Sequence, residues 1–156
     1  MSLAGLSRAE ALDFAAGFDP SVILDAANYQ PDNWQRDVLR STSRRTIVVG
    51  GRQTGKSLVG AGAVAHALLY QPGSLCLCLA PSLKQASETA RKIAGIIDII
   101  GPPLDTVSRT ALQLELSNGS RSLCVPSSET SVRGYAAPAL LLIEEAAAVD
   151  VEVVRA

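Results

Sequence analysis

Residues 50–57 read Gly50-Gly51-Arg52-Gln53-Thr54-Gly55-Lys56-Ser57, which satisfies the pattern G-x-x-x-x-G-K-[ST] in full. Such a run constrains the chain strongly because it leaves few uses for the backbone. Glycines let the chain curl until successive N–H groups converge on phosphate oxygens. A helix opening directly afterwards aims the positive end of its dipole at the same anion. In that arrangement Lys56 reaches the β- and γ-phosphates, and Ser57 sets its hydroxyl on Mg²⁺. The flanking sequence supplies the matching context. Thr46-Ile47-Val48-Val49 is a β-branched run that reads as a buried strand feeding the loop. Residues 56–70, rich in small side chains (Gly60, Ala61, Gly62, Ala63, Ala65), read as a helix able to pack closely on a sheet and stopped by Pro72-Gly73.

The remaining chain alternates in the same way. Helices are expected over 2–16, with Ser2 or Ser7 as cap, over 20–27 with Pro20 in the first turn, and over 33–41 behind Asp32. Leu75 to Ala80 reads as a parallel strand, and 83–100 as a helix whose apolar face is Leu83, Ala86, Ala90, Ile93, Ile97 and Ile100. Alternation over Ala111–Leu116 and again over Arg121–Val125, with Asn118-Gly119 between, marks a hairpin. Leu140 to Ile143 is a fully apolar strand. Strands and helices in alternation imply an α/β fold with a mostly parallel sheet covered by helices on both faces, plus a β-hairpin insertion.

Composition narrows the function. Fourteen basic against fifteen acidic residues give a net charge of −1, unlike the basic surplus of a free-standing nucleic-acid-binding domain. The cations cluster, however. Arg36, Arg40, Arg44, Arg45, Arg52 and Lys56 fall between residues 29 and 56 against Asp32 and Asp37 alone. That bias suits an anionic ligand, and for Arg36 and Arg40 a solvated surface is an equally open reading. Three cysteines make no disulfide framework. Cys76 and Cys78 fall on one side of a strand and read as core packing rather than metal ligands. No stretch is long enough to span a membrane and no secretory signal is seen.

The last apolar strand runs into Glu144-Glu145. On extended backbone these two carboxylates point to opposite sides, so Glu144 is assigned to the metal and Glu145 to orienting an attacking water as general base. The competing reading is a helix N-terminus, continued by Ala146-Ala147-Ala148.

Gly51-Arg52-Gln53-Thr54-Gly55-Lys56-Ser57 resembles the arginine-bearing phosphate loop of phage terminase large subunits, and Glu144-Glu145-Ala146-Ala147 is similar to their Asp-Glu-Ala-Ala segment. The resemblance covers residues 28–156 and leaves 1–27 as an N-terminal helical segment. Trp34-Gln35 resembles the adenine-contacting motif of terminases and related helicases, with a core anchor as the other reading of Trp34. Ala80-Pro81-Ser82 with Gln85 resembles a helicase-like segment near nucleic acid. Ser131-Val132-Arg133-Gly134 resembles the loop that carries an arginine finger, a role for which Arg52 is a second candidate and against which a solvated Arg133 stands.

The resemblance implies a three-layer P-loop NTPase core of the additional-strand, catalytic-glutamate type. It further implies Mg²⁺-dependent ATP hydrolysis driving double-stranded DNA into a viral shell in the host cytoplasm. The implied assembly is a homo-oligomeric ring, with portal protein and small terminase subunit as partners. Two departures stand out: Glu144 replaces the usual Asp, and the family's later strands, coupling motif and nuclease have no counterpart before Ala156. The fold is therefore expected to be incomplete at the C-terminus. A helicase-like ATPase and a remnant that grips nucleotide without turnover are the alternative readings.

Overall fold

The computed structural model describes residues 6–101, 104–127 and 137–149. Helix α1 (Arg8–Phe18) starts at Ser7, whose hydroxyl accepts from the Glu10 amide while the Glu10 carboxylate accepts from the Ser7 amide. Of the two serines named as caps, this reciprocal box selects Ser7. The helix expected over 20–27 is split into a 3-10 turn, Pro20–Val22, and a short α2, Ile23–Ala26. Helix α3 (Asn33–Arg40) follows Asp32, whose N–H donates to Gln35 Oε1 at 2.8 Å. Helix α4 is Lys56–Tyr70 and α5 is Leu83–Ile100, both as expected.

The described part of the N-terminal segment shares one core with the rest. Ala16, Ile23 and Leu24 are fully buried in the same cluster as Val64 and Leu68 of α4. The packing is close, because a Cβ on Gly62 would meet Leu24 Cδ2 at 2.9 Å. Polar ties reinforce it: Tyr70 Oη donates to Asp13 Oδ1 at 2.5 Å, and His66 Nε2 bonds the Ala16 carbonyl at 2.9 Å. Arg36 grips Asp25 bidentately at 2.6 and 2.8 Å, and Arg40 Nη2 meets Asp19 at 2.7 Å. Two of the six clustered cations are therefore spent on intramolecular pairs. As solvent-screened pairs they contribute little, so apolar burial holds this segment in place.

Strand β1 (Leu75–Ala80) is parallel to β4 (Arg121–Pro126) on one side and to β5 (Leu140–Ile143) on the other. β3 (Gln113–Leu116) runs antiparallel to β4 through the Asn118-Gly119 turn, with Gly119 at φ 79°. A further strand, β2 (Thr106–Arg109), runs antiparallel to β3 and gives the order β2-β3-β4-β1-β5. Two ladders are parallel and two antiparallel, so the sheet is mixed rather than mostly parallel. The short, polar, largely exposed Thr-Val-Ser-Arg run of β2 carries no burial pattern from which it could be read.

Side chains alternate across the sheet as a period of two requires. Cys76, Cys78, Ala80 and Cys124 join the cluster built from α4 and α5. Leu77, Leu79 and Val125 form a second cluster with Leu123 and Ile143, to which no described helix contributes. Helices on both faces are thus not seen among the described residues.

The expected strand over Thr46–Val49 is not formed. Ile47 is 89% and Val49 91% exposed, and no described strand pairs with them. A β-branched run favours extended structure only where a neighbouring strand takes up its N–H and C=O groups. The approach to the loop has no such neighbour among the described residues.

Candidate functional site

The loop 50–55 turns back on itself before α4. Gln53 and Gly55 both lie at positive φ, 60° and 85°, and Gly55 is the residue from which α4 starts. Thr54 Oγ1 donates to the Gly51 carbonyl at 3.1 Å. Lys56 Nζ donates to the Gly50 carbonyl at 2.7 Å and also to that of Gly51. The single ammonium is thereby held over the mouth of the loop, at the N-terminus of a fifteen-residue helix. Arg52 is exposed on the turn and makes no ion pair among the described residues.

Ser57, in the first turn of α4, donates through Oγ to Glu144 Oε2 at 2.9 Å. Glu144 stands directly after β5, and its N–H continues the ladder onto the Leu79 carbonyl at 2.8 Å. Two segments separated by 87 residues therefore meet at one polar contact. Glu144 Oε1, by contrast, is buried without a hydrogen-bond partner among the described residues. An unsatisfied buried carboxylate oxygen is costly, and a cation coordinated there would relieve it. The approach of helix to strand depends on Gly60, where a Cβ would lie 2.8 Å from Leu142 Cδ1. The small-residue run of α4 was visible in the sequence, but Leu142 as its counterpart was not.

Glu145 departs from expectation. Its backbone is left-handed, at φ 49° and ψ 51°, not extended, and it leads into a 3-10 turn at Ala146–Ala148. The argument from strand alternation therefore does not apply to it. Its side chain is exposed and makes no hydrogen bond to the described residues. A non-glycine residue in this region is strained, and such strain clusters at functional sites.

Gln35 and Trp34 lie on α3, and Gln35 reaches the loop. Gln35 is only 5% exposed, and its Nε2 donates to the Thr54 carbonyl at 3.5 Å while its Oε1 accepts from Asp32. Trp34 is half-buried against the main core, which matches the anchor reading. Arg133 lies outside the described residues. The link from Gln35 to the loop went unread in the sequence, where Gln35 stood only as a partner for a base.

Beneath the site, burial pushes the Cys76 thiol up to about 11, and the hydrogen bond with Cys124, then burial, raises Cys78 well above its ordinary value. Both remain protonated at neutral pH and serve as packing rather than as thiolate ligands. Among the described residues no three His, Cys, Asp or Glu side chains group as a metal cage. Nor is any described helix long and apolar enough to cross a membrane.

No protein-family model matches the chain, and no curated protein matches it by sequence. Solved structures do. The ATPase domain of the large terminase of Thermus phage P74-26 superposes with a TM-score of 0.70 at 21% identity, covering 83% of this chain. A single-arginine variant of the same domain gives the same values. The chain spans 59% of the length of those domains. It has a mixed α/β fold, with a five-stranded sheet, shared with a terminase ATPase domain.

Proposed function

We propose that the chain is the nucleotide-gripping part of a terminase-type ATPase, a P-loop core of the additional-strand, catalytic-glutamate type. The observation that carries the reading is the Ser57–Glu144 contact at the mouth of the loop capped by Lys56. A hydroxyl and a carboxylate oxygen are the hard donors that Mg²⁺ takes. This ion is usually held by only one or two carboxylates plus waters and substrate phosphates, so no larger cage is needed. The buried, unpartnered Glu144 Oε1 fits the same role.

When bound, Mg²⁺ neutralises charge shared between the β- and γ-phosphates. The chain's own groups do the rest. Backbone N–H groups of residues 51–57 and the α4 N-terminus receive the phosphate oxygens. Lys56 Nζ exchanges the carbonyls of Gly50 and Gly51 for those oxygens, trading neutral acceptors for charged ones. Ser57 and Glu144 position the metal. Glu145 takes the proton of the attacking water, and Arg52 or Arg133 stabilises charge on the transferring phosphoryl. Coupling to double-stranded DNA within a homo-oligomeric ring, with portal and small terminase subunit as partners in the host cytoplasm, follows from the family reading.

A second reading, binding without turnover, is favoured by two observations: the exposed Glu145 side chain makes no hydrogen bond to the described residues, and Thr46–Val49 stands outside the sheet. Titrating ATP while measuring phosphate release separates the two. The Lys56→Ala variant tests the site itself. It should weaken ATP binding on the order of a hundredfold or more, as a charge-assisted contact is lost. Unchanged affinity would remove the loop from the account.

A further inference from the structure

We infer that the groove between α5 and the β2–β3 hairpin is a second anion site, built for a phosphate-type oxyanion and separate from the loop. The groove encloses about 190 Å³. Ser87 and Arg91 line it from α5, and Arg109, Thr110 and Gln113 line it from the hairpin. None of its lining residues belongs to the phosphate loop, α4 or β5. The lining carries two guanidiniums and no carboxylate, in a chain whose net charge is −1.

Each guanidinium is steadied from outside the groove. Arg91 Nη1 donates to Glu88 at 2.7 Å, and Arg109 Nη1 donates to both oxygens of Asp98 at 2.8 and 3.1 Å. Neither carboxylate is part of the lining. A guanidinium has five N–H donors, and these pairs engage Nη1 alone. Nε and Nη2 of both arginines are thus left without a partner among the described residues. The pairs are solvent-screened and weak, so they orient the guanidiniums without exhausting them.

Neutral donors complete the set. Thr110 Oγ1 accepts from the Leu112 amide at 3.3 Å and the Gln113 amide at 3.0 Å, which fills its lone pairs and leaves its proton to give. The Ser87 hydroxyl and the Gln113 side-chain amide add two more donors. Donors therefore converge from helix and hairpin. A tetrahedral oxyanion has acceptors on several sides and takes such a set better than a planar carboxylate, which meets a single fork. The wall also includes the buried, apolar Ala94 and Leu114, and a less polar surround strengthens charge-assisted contacts. The group reaches the protein either as a free ion or as a phosphodiester of a nucleic-acid backbone.

The test follows the ¹⁵N-labelled whole chain by NMR, reading the Thr110 and Gln113 amides and the Nε–H signals of Arg91 and Arg109. The probes are inorganic phosphate, acetate and a short DNA duplex, compared at constant ionic strength. Phosphate should shift these signals saturably, and acetate should not. Arg91→Gln and Arg109→Gln should each weaken phosphate binding roughly tenfold or more, the loss of one charge-assisted contact. Both positions are exposed, so both variants should melt as the parent does. Lys56→Ala disables the loop and should leave the groove signals responsive, which keeps this inference independent of the triphosphate reading. A duplex that shifts the same signals at lower concentration than phosphate, and loses its hold steeply as salt is added, assigns the backbone source. Shifts with phosphate alone assign the free ion. No saturable shift with either probe, equal shifts with acetate, undiminished phosphate binding in both glutamine variants, or a groove response lost in Lys56→Ala would overturn the inference.

Discussion

Ser57 Oγ and Glu144 Oε2 lie 2.9 Å apart, a contact between the first turn of α4 and the end of β5. It converts two sequence motifs into one site. Lys56 and Glu145 are the immediate chain neighbours of the two partners, so the proposed chemistry is centred on this contact.

Glu145→Gln should bind ATP as the parent does and lose its hydrolysis. The amide keeps the size and polarity of the side chain but cannot take a proton, and a positioned general base contributes about 10²–10⁴-fold. Single-turnover phosphate release is the measurement. Equal rates in variant and parent would strip Glu145 of its role, and with its left-handed backbone it would then be only the turn that starts the 3-10 segment.

Gly60→Val should destabilise the protein by about 1–3 kcal/mol, the range for overpacking a tight contact. The branched side chain meets Leu142 where even a Cβ would stand at 2.8 Å. Because Leu142 lies two residues before Glu144, the same variant should weaken Mg²⁺-dependent ATP binding. Gly95→Ala on α5 is the control. Its Cβ would meet nothing within 4 Å, so it should be neutral or stabilise by up to about 1 kcal/mol. Urea denaturation reads both, and a Gly60→Val variant as stable as the parent would show that α4 and β5 do not depend on that close approach.

Stability should fall as pH drops through the histidine range. Burial lowers the His66 pKa in the folded chain, with the Ala16 carbonyl opposing the shift. A group depressed on folding contributes stability that is complete above its unfolded value of about 6.5 and is lost as pH falls through the folded value. His66→Gln retains a donor for the Ala16 carbonyl and should flatten the profile between pH 7 and 5. Asp19 adds a separate, more acidic loss. The Arg40 guanidinium holds its carboxyl well below the usual carboxylate range, so its contribution disappears only below about pH 4. Melting temperatures from pH 8 down to about pH 2 would show both, and a parent profile no steeper than that of His66→Gln between pH 7 and 5 would contradict the first.

Local signals carried most of the fold into view. Lys56–Tyr70, Leu75–Ala80, Leu83–Ile100 and Leu140–Ile143 have strong periodicity or unbroken apolar runs, and each appears with the expected bounds. Thr46–Val49 failed because propensity alone cannot supply a ladder partner. β2 escaped notice because an exposed four-residue edge carries no burial pattern. Arg36 and Arg40 stood open between an anionic ligand and a solvated surface, and their pairing with Asp25 and Asp19 depends on tertiary packing that spacing cannot reveal. In the site, the loop residues were legible because their pattern is contiguous. The contact of Gln35 with the Thr54 carbonyl and the fit of Gly60 against Leu142 join distant segments and needed coordinates.

The central claim is that Ser57 and Glu144 hold a divalent cation against a triphosphate seated in the loop. Its most direct test is ATP affinity with and without Mg²⁺ in the parent and in Glu144→Ala. The account predicts that Mg²⁺ tightens ATP binding in the parent by at least about tenfold, the equivalent of 1.4 kcal/mol. In the variant that gain should vanish while Mg²⁺-free binding is retained. Parent binding indifferent to Mg²⁺, or a Mg²⁺ gain that survives in Glu144→Ala, would contradict it.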